Sequence, residues 1–276
     1  MSTIEFHLFR IKFIKPKQML LFNNDWTPSQ IFKYLIDEKP SLELKKDNIW
    51  HIGNLKLIDE SGGSFAVGRT TKTTVGKYDS ETGDFIEEYF EESPYTICLY
   101  DINIGLIAIA KKSKLTPTTK GIANKLTKLF SSSANVIDRN LDVKIDLIND
   151  PENFIQKIES SFNLKKFTSH FTGPNPIDAD ELFQKPLSVY CQAINGEKGK
   201  VIVEGTGLDT DVAVSVAKSS AATGNEASAR IIEIRGSAGK TINLKGDPVK
   251  ITYKEEEFKN DMALNDMRSE YARVRG

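Results

Sequence analysis

Two apolar runs, residues 95–100 and 104–110, are separated only by Asp101-Ile102-Asn103. Runs of this kind joined by so tight a turn read as neighbouring central strands of a sheet. The preceding residues supply further strands. Residues 5–14 alternate polar and apolar, with Phe6, Leu8, Ile11 and Phe13 among the apolar ones, and Pro16 stops them. A short apolar run follows at 19–22. Thr27-Pro28 places a capping residue before a proline at the first helical position, and Ile31, Phe32 and Leu35 give that helix an apolar stripe up to Pro40. Residues 49–52 and 55–58 flank Gly53-Asn54, which reads as a hairpin turn with the usual Asn-Gly order reversed. After a turn at Ser61-Gly62-Gly63, the threonine-rich residues 65–78 pair with 85–90 across Ser80-Glu81-Thr82-Gly83.

Beyond residue 112 the pattern becomes alternating. Helices are expected at 118–130, from Asp150-Pro151 to 158, from 178, at 209–222 and at 255–273. Strands are expected at 141–148, 164–171, 200–203 and 229–234, with a last strand pair, 240–244 and 249–253, around Gly246-Asp247-Pro248. The expected class is α+β. A β-rich N-terminal domain (1–112), mostly antiparallel with one helix, precedes an α/β layered domain (113–253) and a charged C-terminal helix (254–276). On that helix Phe258, Met262 and Asn265 form one stripe and Leu264, Met267 and Tyr271 another, suited either to dimerisation or to packing on its own domain.

Composition narrows the function classes. A chain of 276 residues, 39% apolar, suits two ordinary domains. A net charge of −1 excludes a wholly basic nucleic-acid protein, so such a role has to come from local segregation of charge. No run approaches the roughly 18 apolar residues of a membrane span, and the N-terminus lacks the pattern of a secretory signal. Cys98 and Cys191 read as buried thiols of a cytoplasmic protein, a disulfide between them being the alternative.

Candidate chemistry is sparse. His7, His51 and His170 lie far apart with no partner at metal-ligand spacing, so neither a metal nor a cofactor is expected. Gly205-Thr206-Gly207 sits between a strand and a helix, but Asp209 and Asp211 at the helix start would repel phosphate, and a structural turn is the better reading. Ser219, Ser220 and Thr223 have no base placed to activate them. Asp142-Val143-Lys144, with Asp101 as the further carboxylate, would make a metal-dependent nuclease core; a solvated strand face explains it equally well.

Charge segregation stands out. No acidic residue occurs between Asp101 and Asp138, while Lys111, Lys112, Lys114, Lys120, Lys125 and Lys128 do, around a Thr-Pro-Thr-Thr turn into a helix N-terminus whose free N–H groups and hydroxyls suit phosphate. Lys165 and Lys166 lie in a second acid-free stretch, and Arg69, Lys72 and Lys77 line the threonine-rich strand. These residues are the candidate nucleic-acid contacts. Asp79, Glu81, Asp84, Glu87, Glu88, Glu91 and Glu92 gather in one hairpin. That hairpin either neutralises the basic segments, in cis or across a dimer, or forms the outer surface beside a basic groove.

Residues 94–177 resemble the RexA-like phage-exclusion proteins of lambda-type prophages. The shared features are the strand pair 95–110, Pro117-Thr118-Thr119 opening a helix, Val143-Lys144-Ile145 on a strand, and a strand ending in Phe171-Thr172-Gly173. The layout is also similar to the DNA-binding subunit of the Kiwa defence system. The resemblance implies a non-enzymatic, homodimeric, DNA-binding protein of abortive anti-phage defence, with a small membrane effector as a further partner. The other readings are the nuclease and a protein-interaction module whose acidic hairpin docks a basic partner.

Overall fold

A computed structural model describes residues 2–14, 26–172 and 183–276, and these form an α+β structure. The expected run at 19–22 and the helix start at 178 fall outside the described residues. The elements are β1 (Thr3–Ile14), α1 (Pro28–Glu38), β2 (Ser41–Lys45), β3 (Asn48–Leu57), β4 (Gly62–Tyr78), β5 (Phe85–Glu92), β6 (Tyr95–Asp101) and β7 (Leu106–Ala110). They continue with α2 (Thr119–Ser131), α3 (Ala134–Asp138), β8 (Asp142–Leu147), α4 (Glu152–Glu159), β9 (Asn163–Thr172), α5 (Gln184–Ala193) and β10 (Lys198–Glu204). Last come α6 (Thr210–Ala222), β11 (Ala227–Ile232), β12 (Lys240–Asn243), β13 (Lys250–Lys254), a 3-10 turn (Glu255–Glu257) and α7 (Asn260–Arg275).

Strand β1 organises the larger, nine-stranded sheet, whose main order is β13-β1-β7-β6-β4-β3-β2. Its alternation sends Phe6 and Leu8 into one core and Phe9 and Ile11 into the other, because successive strand residues face opposite ways. Strands β13 and β8 share one edge of β1 end to end, β13 along Thr3 to His7 and β8 along Phe9 to Ile14. At the seam the Leu8 amide donates to the Val249 carbonyl and the Ile148 amide donates to the Leu8 carbonyl. The central pair β6–β7 is buried as its apolar character requires, with Cys98 opposite Ile109 and Leu99 opposite Ala108.

Helices α1 and α2 cover one face of this sheet, burying Ile31, Phe32, Leu35, Ile122, Leu126 and Phe130 against Trp50, Val67, Ile107 and Val143. The other face packs on α4, α6, α7 and the small sheet β10-β9-β11-β12. Helix α1 begins in a reciprocal cap: the Gln30 amide donates to the Thr27 hydroxyl, and the Thr27 amide donates to the Gln30 side chain. Thr27→Ala is expected to cost about 1 kcal/mol, a drop in Tm of roughly 2–4 °C, measurable by circular dichroism.

Two expectations of strand pairing are corrected. Gly53-Asn54 is not a hairpin turn, because both flanking runs pair with β4 as one strand whose register shifts between Gly53 and Lys56. Asn54, at φ 49°, is a bulge residue, and the chain reverses instead at Asp47, at φ 59°. Strands β12 and β13 do not pair with each other. β12 joins β11 in the small sheet and β13 joins β1 in the large one, so Gly246-Asp247-Pro248 is a crossing between sheets. Sheet membership runs across the expected boundary at 112–113: β8 and β13, from the second segment, complete the sheet of the N-terminal strands.

Helix α7 packs on its own chain through Ala263, Leu264, Met267, Tyr271 and Val274. Of the other expected stripe, Phe258 stacks on Phe6 at 5.6 Å while Met262 stays 39% exposed. Among the described residues no helix is long and apolar enough to cross a membrane. Cys98 and Cys191 are both buried and unpaired, and burial pushes the Cys98 thiol pKa up.

Candidate nucleic-acid interface

The acid-free interval folds into the loop after β7 and into α2. The apolar residues Ile122, Ala123, Leu126, Leu129 and Phe130 turn inward at helical spacing, which leaves Lys120, Lys125 and Lys128 around the outer surface. The helix start is less open than expected. The Gly121 amide donates to the Thr118 hydroxyl, the Thr116 hydroxyl donates to the Thr118 carbonyl, and the Thr119 hydroxyl lies 2.8 Å from His7 Nδ1. These groups hold the turn together, so the lysine side chains carry what anion affinity the segment has.

Lys125 lies 6.0 Å from the centre of the Trp50 ring, in cation–π range. Trp50 is on β3, directly opposite Arg69 on β4. Partial burial lowers the Lys125 pKa, and the like charges of Lys128, Lys45 and Arg69 lower it further. Cations from α2, β2 and β4 are thus gathered near Lys125. A shallow concavity of about 460 Å³ lies beside them, lined by Gly121, Asn124, Lys125, Thr127 and Lys128. The buried Nε–H of Arg69, opposite Trp50, finds no acceptor among the described residues.

The other candidate contacts are placed elsewhere. Lys111 is 3.9 Å from Glu5, and Lys112 and Lys114 line a cleft of about 550 Å³ that also holds Glu92 and Glu255. Lys72 faces Asp47 at 3.7 Å and Lys77 bonds Glu88 at 2.9 Å. On the small sheet Lys166 bonds Glu204 at 2.6 Å and Lys165 donates to the Thr206 carbonyl. Of the expected set, Arg69, Lys125 and Lys128 converge, with Lys120 on the same helix. Lys45 was not foreseen. The alternation of Leu42 and Leu44, half-buried against exposed neighbours, is the signal that would have marked β2 and placed it.

The alternative chemistries find other partners. Asp101 is 4% exposed, accepts from the Asn103 and Ile104 amides, and receives Arg268 Nε at 2.6 Å. Asp142 lies 3.2 Å from Lys144. Among the described residues no three acidic, histidine or cysteine side chains converge on a metal position. Gly205-Thr206-Gly207 is a structural turn: the Gly205 amide donates to the Lys165 carbonyl, Asn163 Nδ2 donates to the Thr206 carbonyl, and Asp209 caps α6 through the Val212 amide. Ser220 sits 2.8 Å from Ser169, and Thr223 accepts from Gln184 and Asn225.

Arg268 also holds Asp59 at 2.6 Å, and with the Ser61 and Gly62 amides it keeps that carboxyl well below the usual range. A depressed carboxyl stabilises the fold fully above its unfolded pKa of about 4 and loses that contribution as pH falls toward the folded value. Asp59→Asn is expected to flatten the loss of stability below about pH 4, read from urea midpoints across pH.

No curated protein matches the sequence. Residues 3–272 match the family described as Domain of unknown function (DUF4747). That match takes in every strand and nearly all of α7, and the chain therefore belongs to the DUF4747 family.

Proposed function

We propose that the protein is a non-enzymatic, sequence-nonspecific DNA-binding protein that acts in the cytoplasm as a homodimer. The observation that carries this reading is the gathering of Lys45, Arg69 and Lys128, from three elements, near Lys125, which itself lies over the Trp50 ring. Partial burial lowers the proton affinity of Lys125 most, and repulsion from the neighbouring cations lowers it further. A polyanion would relieve that repulsion, and a duplex, with one charge per about 1.7 Å of axis, is dense enough to meet several cations at once. Lysine and arginine cations suit phosphate contacts, which carry no sequence information, and that fits affinity without sequence preference.

The resemblance of residues 94–177 to RexA-like proteins adds the biological setting: prophage or bacterial defence by abortive infection, with a small membrane effector as partner. The test is the affinity for unrelated duplexes as a function of salt. Four engaged cations predict similar affinities and a slope of log affinity on log salt near −3.6. Absent binding, or a slope near zero, removes DNA from the reading.

A further inference from the structure

We propose that the ribbon formed by the outer halves of β4 and β5 is a docking arm that lies on the basic face of a second copy of the chain. The last pairing between β3 and β4 is Asn48 with Thr71, while β4 goes on pairing with β5 from Thr71–Glu92 out to Tyr78–Phe85. Among the described residues, the two strands pair only with each other beyond Thr71. Isolated two-stranded ribbons are marginal in water, and this one is built with side chains that need cover. Its register puts Val75, Ile86 and Phe90 on one face and Tyr78, Phe85 and Tyr89 on the other. Phe85 is 83% exposed and Tyr89 is 77% exposed. Large apolar side chains this exposed on both faces of one ribbon mark an interaction site.

Charge selects the occupant. The ribbon and its turn, residues 72–92, carry seven carboxylates against Lys72 and Lys77. That excess repels nucleic acid and anionic lipid and suits a basic protein surface. The face with Lys45, Arg69, Lys120, Lys125 and Lys128 is such a surface. The eight residues of β5 span about 27 Å, enough to cross the roughly 20 Å of α2. Because each chain carries both arm and face, a two-fold axis can make both contacts at once and close the assembly at a dimer. This takes the homodimer of the proposed function and names its surfaces; DNA binding is not needed for it.

The test is a charge swap measured by sedimentation at low salt without DNA. The arm variant is Glu87→Lys, Glu88→Lys and Glu91→Lys; the face variant is Lys120→Glu, Lys125→Glu and Lys128→Glu. Wild type is expected to be a dimer that dissociates as salt rises, each variant alone a monomer, and an equal mixture of the two a dimer. Adding Phe85→Ser and Tyr89→Ser to the arm variant is expected to abolish the mixed dimer, which separates docking from bulk attraction. The same serine pair in the wild-type background, at positions too exposed to disturb the core, gives the same loss and covers a charge variant that misfolds. A monomeric wild type overturns both the homodimer and the arm. A wild-type dimer indifferent to the arm and face variants, or a mixed dimer that survives the serine pair, overturns the arm alone. The arm and DNA would use the same cations and so compete. The serine pair in the wild-type background keeps every lysine, is expected to bind DNA at least as tightly as wild type, and so reports on the nucleic-acid reading apart from the arm.

Discussion

Asp146→Ala is expected to cost about 3 kcal/mol, whereas Lys12→Met at the other end of the same ion pair should change stability by no more than about 1 kcal/mol. The asymmetry follows from burial. Lys12 is 3% exposed and its Nζ reaches Asp146 at 3.0 Å and Asn225 at 3.4 Å. The Asp146 side chain is 38% exposed. Removing the carboxylate strands a cation in the interior; removing the cation leaves a carboxylate that water can solvate. The pair is positioned by Gly224, whose φ of 65° ends α6 so close to β8 that a Cβ there would meet the Asp146 Cβ at 2.7 Å.

For Asp146→Ala the expected fall in Tm is roughly 6–12 °C. Burial lowers the Lys12 pKa, partly offset by Asp146. Its folded pKa therefore lies below its unfolded value of about 10.4. Between the two the unfolded chain binds the extra proton, so wild-type stability rises with pH through that window, and Lys12→Met should remove the rise. Urea denaturation of both variants, repeated from neutral to alkaline pH, checks all of this. A larger loss for Lys12→Met than for Asp146→Ala would show that the cation contributes more than it costs.

The second large effect concerns DNA. Changing Lys45, Lys125 and Lys128 together to glutamate is expected to weaken binding at least about 100-fold at low salt and to reduce the slope by about 2.7, at about 0.9 per phosphate contact. Changing Lys111, Lys112 and Lys114 together should alter affinity by less than about threefold, because Glu5, Glu92 and Glu255 already surround those lysines. Fluorescence anisotropy over about 50–200 mM salt distinguishes the two sets. Equal losses for both would restore the continuous basic interval of the sequence as the site.

Residue by residue, the local elements were legible because their causes are local. Thr27-Pro28 starts α1, the two apolar runs around Asp101 make β6 and β7, and Asp209 starts α6. Capping, periodicity and turn chemistry act within a few residues, so they can be read from a few residues. Gly53-Asn54 misled because a glycine followed by a left-handed asparagine serves a bulge as well as a turn, and only the partner strand distinguishes them.

The candidate site was half legible for the same reason. Lys125 and Lys128, three residues apart on one helix, share a surface by helical geometry alone. Their neighbours Lys45 and Arg69 are far from them in sequence and arrive through β2 and β4. Lys111 and Lys112, close in sequence, end beside Glu5, Glu92 and Glu255 instead.

By itself, then, the sequence determined the α+β class, most element boundaries, the acidic hairpin and the inward face of α2, all of them consequences of short-range periodicity and charge order. Only the tertiary structure decided that β8 and β13 meet end to end on β1, that Asp101 is held by Arg268, and which lysines keep company. Strand pairing and ion pairing are long-range choices, made by which apolar faces bury together and by which charges that burial then brings within reach.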